Sequence, residues 1–327
     1  MITARNLSKH FRVNRRAEGL KGAALSLFSR KYETVKAVDS IDLDIAQGEM
    51  IGYIGRNGAG KSTTIKMLTG ILVPSEGSVT VNGLTPHRKR TINAMNIGVV
   101  FGQRTQLKWD IPVIETFRLL REVYQVPKER YARNIDLFTE VLELDGLLHT
   151  SVRKLSLGQR MKCDLAAAFL HDPKIIYLDE PTIGLDIVVK ERVREFIKTM
   201  NSERGTTVIL TTHDLRDIDE ICERAIIIDK GRIAYDGALD QIKQEFGGQR
   251  IVRFDLSRPV PDYSALSIPG AEIIESKDLY FKVQIHRDGL SSSDLIREVM
   301  NLYPVQDISI KEQQIEDIVK KIYGSDQ

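Results

Sequence analysis

The sequence predicts an α/β fold: a mainly parallel sheet with an antiparallel β part and an inserted helical subdomain, followed by a small α+β domain. Three observations carry this. Short, mainly apolar runs alternate with helix-like stretches across residues 41–236. The glycine-rich octapeptide Gly55-Arg56-Asn57-Gly58-Ala59-Gly60-Lys61-Ser62 follows one of those runs and opens a helix-like stretch. Beyond Gly247-Gly248 the apolar residues recur at every second position instead.

The apolar runs lie at residues 50–54, 97–101, 174–178, 207–210 and 225–228. Strands that are apolar throughout are covered on both faces, which is the habit of parallel sheets flanked by helices. Over residues 112–148 the period becomes helical, with Ile114, Phe117, Leu119 and Leu120 placed on one face and Ile135, Phe138, Val141 and Leu142 on another. This block, extended to residues 112–170, is read as the inserted subdomain of a cassette spanning residues 1–240. The second domain, residues 248–327, opens with alternation at Val252, Phe254 and Leu256 and repeats it at Leu279, Phe281, Val283 and Ile285. Ser291-Ser292-Ser293 offers an N-cap for a helix to about Leu302, and Pro304 stops it. A last helix is expected with Ile315, Ile318, Val319, Ile322 and Tyr323 on one face.

At 327 residues, 42% apolar and 28% charged, the chain has the make-up of a globular protein with one large and one small core. A net charge of +2 does not favour nucleic acid as a partner. No apolar run reaches the roughly 18 residues of a membrane span, and residues 1–7 show no signal peptide, so a membrane role would be peripheral. Cys163 and Cys222 lie in helical patterns and are expected as reduced packing residues. Residues 12–36 carry seven lysines and arginines against two glutamates, a local +5, with Leu20, Ala23, Ala24, Leu27 and Phe28 at helical spacing. This insertion is either a solvated loop or an interfacial helix for anionic lipid.

The octapeptide is a phosphate-binding loop in its proper setting, after a strand and before a helix. Gly55, Gly58 and Gly60 allow the tight turn that aims backbone N–H groups at phosphate, and the helix N-terminus adds a positive field. Lys61 is expected to reach the β- and γ-phosphates, Ser62 to offer a hydroxyl to Mg²⁺, and Asn57 and Thr63 to line the cradle. Asp179 closes the apolar run of Ile175-Ile176-Tyr177-Leu178, where a carboxylate needs a cation, and Mg²⁺ held through water is the natural one. Glu180 beside it is the candidate to polarise an attacking water, since phosphoryl transfer asks mainly for positioning and charge. His213, after the run at 207–212, could donate to the γ-phosphate. Gln103, after the run at 97–101, could reach the metal's water shell.

Together with Leu155-Ser156-Leu157-Gly158-Gln159 and Leu178-Asp179-Glu180-Pro181, these residues resemble the ATP-binding cassette family, specifically the nucleotide-binding subunits of transporters, over about residues 1–237. The resemblance implies a P-loop NTPase fold, ATP and Mg²⁺ as ligands, and ATP hydrolysis at a site closed when two cassettes meet head to tail, the homodimer being the expected pairing. It assigns Gln103 to the Q-loop, Ser156, Gly158 and Gln159 to the signature, Asp179 and Glu180 to Walker B, Asp186 to the D-loop, and His213 to the switch histidine. It further implies separate transmembrane permease subunits, a peripheral place on the cytoplasmic face of the cell membrane, and no nucleic acid. The small C-terminal domain looks like that of bacterial exporter ATPases of the drug-resistance and polysaccharide-export type. The alternative is a soluble cassette ATPase acting on ribosomes or DNA. Leu157 departs from the usual second glycine of the signature. The family also stacks an aromatic on adenine, for which Tyr32 is preferred and Phe11 stays open. Trp109, just past Gln103, is either core packing or part of the surface that receives a membrane subunit.

Overall fold

The computed structural model describes residues 1–14, 32–102, 104–245, 249–263, 266, 268–286, 289–312, 318, 319 and 322. The chain divides into two compact units, Met1–Gly237 and Ala238–Gln327.

The first unit holds two sheets. Strands β1 (Ile2–Asn14), β2 (Tyr32–Ile45) and β4 (Glu76–Val81) form an antiparallel sheet in the order β2-β1-β4. Strands β3 (Met50–Gly55), β5 (Ile97–Phe101), β6 (Ile175–Asp179), β7 (Thr207–Thr211), β8 (Arg224–Asp229) and β9 (Arg232–Ala238) form the other, in the order β5-β6-β7-β3-β8-β9. The four pairings from β5 to β8 are parallel. The apolar runs explain this arrangement: Ile175, Ile176, Tyr177 and Leu178 in β6, like Ala225, Ile226, Ile227 and Ile228 in β8, are fully buried on both faces. Helix α1 (Lys61–Leu68) lies between the sheets, its Ile65 and Met67 in one core with Leu7 and Ile41 of the antiparallel sheet and Ile51 and Tyr53 of β3. Beyond α2 (Arg90–Ala94), the inserted helices are α3 (Val113–Val123), α4 (Lys128–Leu142) and α5 (Leu157–Phe169). Phe138 of α4, Phe169 of α5 and Phe196 of α6 (Ile187–Arg204) meet edge to face at 5.3 and 5.1 Å, which binds the insert to the sheet's helical cover.

Some expectations need correction. Leu119 does not share the buried face of α3; it is exposed, because at 100° per residue it lies 200° from fully buried Phe117. Tyr32, the preferred adenine aromatic, is the first residue of the strand that holds Ile41 and Leu43, and β1 continues past Phe11 to pair Asn14 with Tyr32. Cys163 and Cys222 are both free and buried, although Cys222 caps rather than extends α7 (Leu215–Ile221). Residues 15–31, with the amphipathic stretch of the insertion and Arg15, Arg16 and Lys21, lie outside the described residues.

The second unit begins with α8 (Leu239–Glu245), followed by β10 (Gln249–Leu256), β11 (Ala271–Lys277), β12 (Tyr280–His286), α9 (Ser292–Leu302) and β13 (Val305–Glu312). Its sheet order is β11-β12-β10-β13 with every neighbour antiparallel, the split β-α-β topology of ferredoxin-like folds. Helix α9, capped by Ser291, fills the second crossover and sets Leu295 and Val299 against Phe254, Phe281 and Val283. Tyr263, Leu266 and Ile268 pack on the same core from the first crossover. The edge strands β11 and β13 escaped prediction because charged and polar residues interrupt their apolar alternation, as edges commonly require. Ile318, Val319 and Ile322 are helical and buried; Ile315 and Tyr323 lie outside the described residues. Among the described residues no helix is long and apolar enough to cross a membrane.

Candidate nucleotide site

The order β6-β7-β3 brings three strand ends side by side, and each delivers part of the site at its C-terminal end. From β3 the chain turns through residues 55–60 into α1. Gly58 and Gly60 hold φ at +81° and +114°, where only glycine is unstrained. At Gly60 a Cβ would also meet the Ala37 carbonyl oxygen at 2.5 Å, so β2 presses on the loop from behind. Asn57 and Gly58 are exposed at the tip, and Ser62 and Thr63 follow in the first turn of α1 with its free N–H groups. Lys61 is buried and donates to the carbonyls of Gly55 at 2.6 Å and Arg56 at 3.3 Å. Burial pulls its ammonium below the ordinary lysine range, and the fields of Glu180 and Asp179 oppose that pull.

At the end of β6, Asp179 accepts from the hydroxyl of Thr211 on β7 at 2.5 Å and from that of Ser62 at 3.4 Å. Oδ1 is thus held by β7 and Oδ2 faces the loop, and a cavity of ≈ 410 Å³ is lined by Ser62, Asp179, Glu180, Gly102 and Arg104. Glu180 has φ +57°, an orientation costing a non-glycine residue about 1 kcal/mol or more. Its N–H donates to the Thr211 carbonyl at 2.9 Å, and its carboxylate lies 2.7 Å from Nε2 of His213. One residue the sequence did not single out holds both loops here. Asp217 of α7 is fully buried and accepts from Thr182, from Thr212 at 3.1 Å and from Arg194 at 2.8 Å. It thus fixes the segments after Glu180 and before His213. The signal was a carboxylate four residues before Ile221, on the face of α7 that points inward.

Ser156, Gly158 and Gln159 belong to a second group. Ser156 caps α5: its hydroxyl accepts from the Gln159 N–H at 3.2 Å, and the Gln159 side chain accepts from the Ser156 N–H at 2.9 Å. Asp186 caps α6 by accepting from Val189 at 3.0 Å. The two helix starts touch, since a Cβ on Gly158 would lie 3.3 Å from Val189. Leu157 lies over Gly184, where a Cβ would come within 3.0 Å of its Cδ2. Trp109 is half exposed, with the Arg160 guanidinium 5.1 Å from its ring.

Gln103 lies outside the described residues. The two aromatics separate by register. Phe11 pairs with Val35, two residues from Ala37 and hence about 7 Å along β2 from the point where the strand meets the loop. Tyr32 is five residues from Ala37, about 16 Å away by the same rise.

The sequence profile described as ABC transporter matches residues 38–183. The ABC transporter ATP-binding protein NatA of Bacillus subtilis is 33% identical over 215 residues, which are 66% of this chain and 87% of NatA. The chain belongs to the ABC transporter family. The daunorubicin resistance ATP-binding protein DrrA3 of Streptomyces coeruleorubidus is 33% identical over 222 residues, 68% of this chain and 70% of that protein. The methionine import ATP-binding protein MetN of Geobacillus kaustophilus is 34% identical over 208 residues, 62% of this chain and 60% of that one. Among solved structures, the dimeric ATP-binding cassette MJ0796 bound to ADP and Pi is similar with a TM-score of 0.60 and 26% identity, over 73% of this chain and 99% of that one. The ABC chain is an ATP-binding subunit with the P-loop NTPase fold, and its enzymatic activity is ATP hydrolysis.

Proposed function

We propose that the chain energises export through separate membrane subunits, two copies pairing head to tail around two ATP at the cytoplasmic face of the membrane. The observation that carries the catalytic part is the alignment of Ser62, Asp179, Glu180 and His213 at three neighbouring strand ends. Glu180, held at its unusual φ and facing His213, is the group that takes the proton of the attacking water. His213 orients that carboxylate and offers its N–H to the transferred phosphoryl group. Lys61 and the N–H groups of the loop and of the first turn of α1 neutralise phosphate charge. The Ser62 hydroxyl and Asp179 carboxylate form a hard oxygen donor set that suits Mg²⁺, which would polarise the phosphates when bound. Gln103 would complete its shell. Ser156, Gly158, Gln159 and Asp186, grouped at two touching helix starts, would meet the nucleotide of the partner copy. Phe11 replaces Tyr32 as the proposed adenine platform, because the strand register sets it nearer the loop.

Export is supported by the likeness to DrrA3, named for daunorubicin resistance, and by the small α+β domain; the likeness to MetN, named for import, favours the reverse direction less because this chain covers only 60% of that protein. The test is affinity isolation of Glu180→Gln from detergent-solubilised cells with ATP present. Turnover should be abolished while ATP-dependent pairing persists, and a polytopic membrane protein should be recovered. Recovery of ribosomes or DNA without one would replace this reading with a soluble ATPase.

A further inference from the structure

Asp164 takes no part in the chemistry above, yet it is 5% exposed in the middle of α5, where Cys163, Leu165 and Ala166 are completely buried. A carboxylate in such a place needs donors. They all come from the segment that leaves β5. The Thr105 hydroxyl donates to Oδ1 at 2.8 Å and the Gln106 N–H to the same oxygen at 3.1 Å, while the Gln106 side-chain amide donates to the Asp164 carbonyl at 3.1 Å. The Thr105 hydroxyl also accepts from the Leu107 N–H at 3.1 Å. The start of the segment is fastened elsewhere. Gly102 donates to the Asp179 carbonyl at 2.7 Å, and a Cβ there would meet the Glu180 carbonyl oxygen at 2.4 Å, so only glycine fits. Further along, Trp109 lies against Arg160, one turn before Asp164 on α5.

We infer that Asp164 is a positioning residue for the ATPase reaction, tying the segment after β5 to the signature helix so that a displacement at Asp179 and Glu180 is delivered to Ser156 and Gln159. The inference rests on the proposed head-to-tail pairing. Its physical content is the two-ended attachment: Gly102 follows the backbone of Walker B, and Thr105 and Gln106 follow α5. Without the carboxylate, a half-buried hydroxyl and a half-buried N–H lose their acceptor, and the segment detaches from the helix. Burial pushes the Asp164 carboxyl up to about 6, against the pull of the Thr105 and Gln106 hydrogen bonds. The charged side chains that line the cavity with it are Arg160 of α5 and Arg104 of the segment. Above that pH the carboxylate is a charged acceptor; as pH falls through it the group takes a proton, and the tie weakens.

Trp109 is the single tryptophan and a built-in reporter of the tie. The experiment follows its emission on adding ATP to the full chain, alongside ATP affinity and ATP-dependent pairing measured by light scattering. In Asp164→Leu, ATP affinity should stay within about twofold, the Trp109 response should vanish, and pairing should need at least about tenfold more protein. Asp164→Asn keeps an acceptor oxygen, so it should restore both and remove the wild type's midpoint near pH 6 from the Trp109 response. Thr105→Val, which removes one donor only, should give an intermediate loss even if the leucine variant folds poorly. A leucine or valine variant that lowers Tm but keeps the response and the pairing would reduce Asp164 to a structural residue and overturn the inference. A wild type that hydrolyses ATP with no ATP-dependent pairing would overturn the pairing itself, and the tie with it.

Discussion

At the scale of single residues, the site is a matter of which groups have room to face a phosphate chain. Lys61 is held by two carbonyls of its own loop, so its ammonium is already pointed along the inner wall of the turn. The proposed adenine platform rests on register in the same spirit. Phe11 and Val35 are opposite one another two residues from Ala37, the residue whose carbonyl backs Gly60. Replacing Phe11 by Ala should weaken ATP binding roughly tenfold or more, the ~1–3 kcal/mol of one base–aromatic stack, and leave the turnover of bound ATP nearly unchanged. Tyr32→Ala should leave the affinity alone. Titration with a fluorescent ATP analogue checks both, and a larger loss in Tyr32→Ala would restore the sequence's first preference. That preference came from counting residues toward a strand whose true start cannot be counted, because β2 already includes Tyr32. Gly58, Gly60, Lys61, Ser62, Asp179 and Glu180 could be singled out as candidates because phosphate chemistry calls for those types at those spacings, and the strand order brings them together. The φ of Glu180 was not, since no residue type announces a left-handed glutamate.

At the scale of elements, the sheet order does the assembling and the helices hold what it assembles. β6, β7 and β3 were each visible as apolar runs, but the sequence carries no statement of their order, and it is the order that sets Asp179, His213 and the loop together. The tie between the loops was equally hidden. Asp217 shows only as an irregularity in an apolar face of α7, and only the fold reveals that Thr182, Thr212 and Arg194 converge on it. Its loss has two consequences. Asp217→Ala leaves the nearly buried Arg194 guanidinium with the half-exposed Glu220 as its one ionic partner among the described residues, which should destabilise the first unit by about 3–5 kcal/mol in denaturant titration. The same change releases the residues around Glu180 and His213 together, so kcat should fall while the ATP affinity set by the phosphate loop stays within a few fold. Replacing Arg194 by Met along with Asp217→Ala removes the stranded charge, and should recover most of the stability without recovering kcat. If kcat returns with stability, Asp217 is a scaffold for the helix and no anchor for the loops.

At the scale of the whole molecule, the chain is two cores in series. Ile51, Ile65 and Ile226 belong to one hydrophobic cluster and Phe254, Phe281 and Leu295 to another, and the residues proposed to bind and hydrolyse ATP all lie in the first. The second sheet closes its ferredoxin-like order with its own helix, and nothing in the proposed chemistry draws on it. Its presence was legible from the change to period-two alternation, whereas its topology was not, because strands with charged residues at alternate positions do not stand out from loops. A chain ending after Gly237 should therefore keep ATP affinity within about twofold. Calorimetry should resolve two unfolding transitions in the full chain, only the one at the first unit moving up when ATP is added. The shortened chain should retain that transition and lack the other. Pairing then discriminates between uses of the second unit. If Glu180→Gln still pairs on ATP after truncation, the appendage serves the transporter elsewhere, in regulation or in contact with a membrane subunit. If pairing fails while ATP affinity holds, the second unit is a dimerisation element, and the head-to-tail closure of the cassettes depends on a contact outside the nucleotide site.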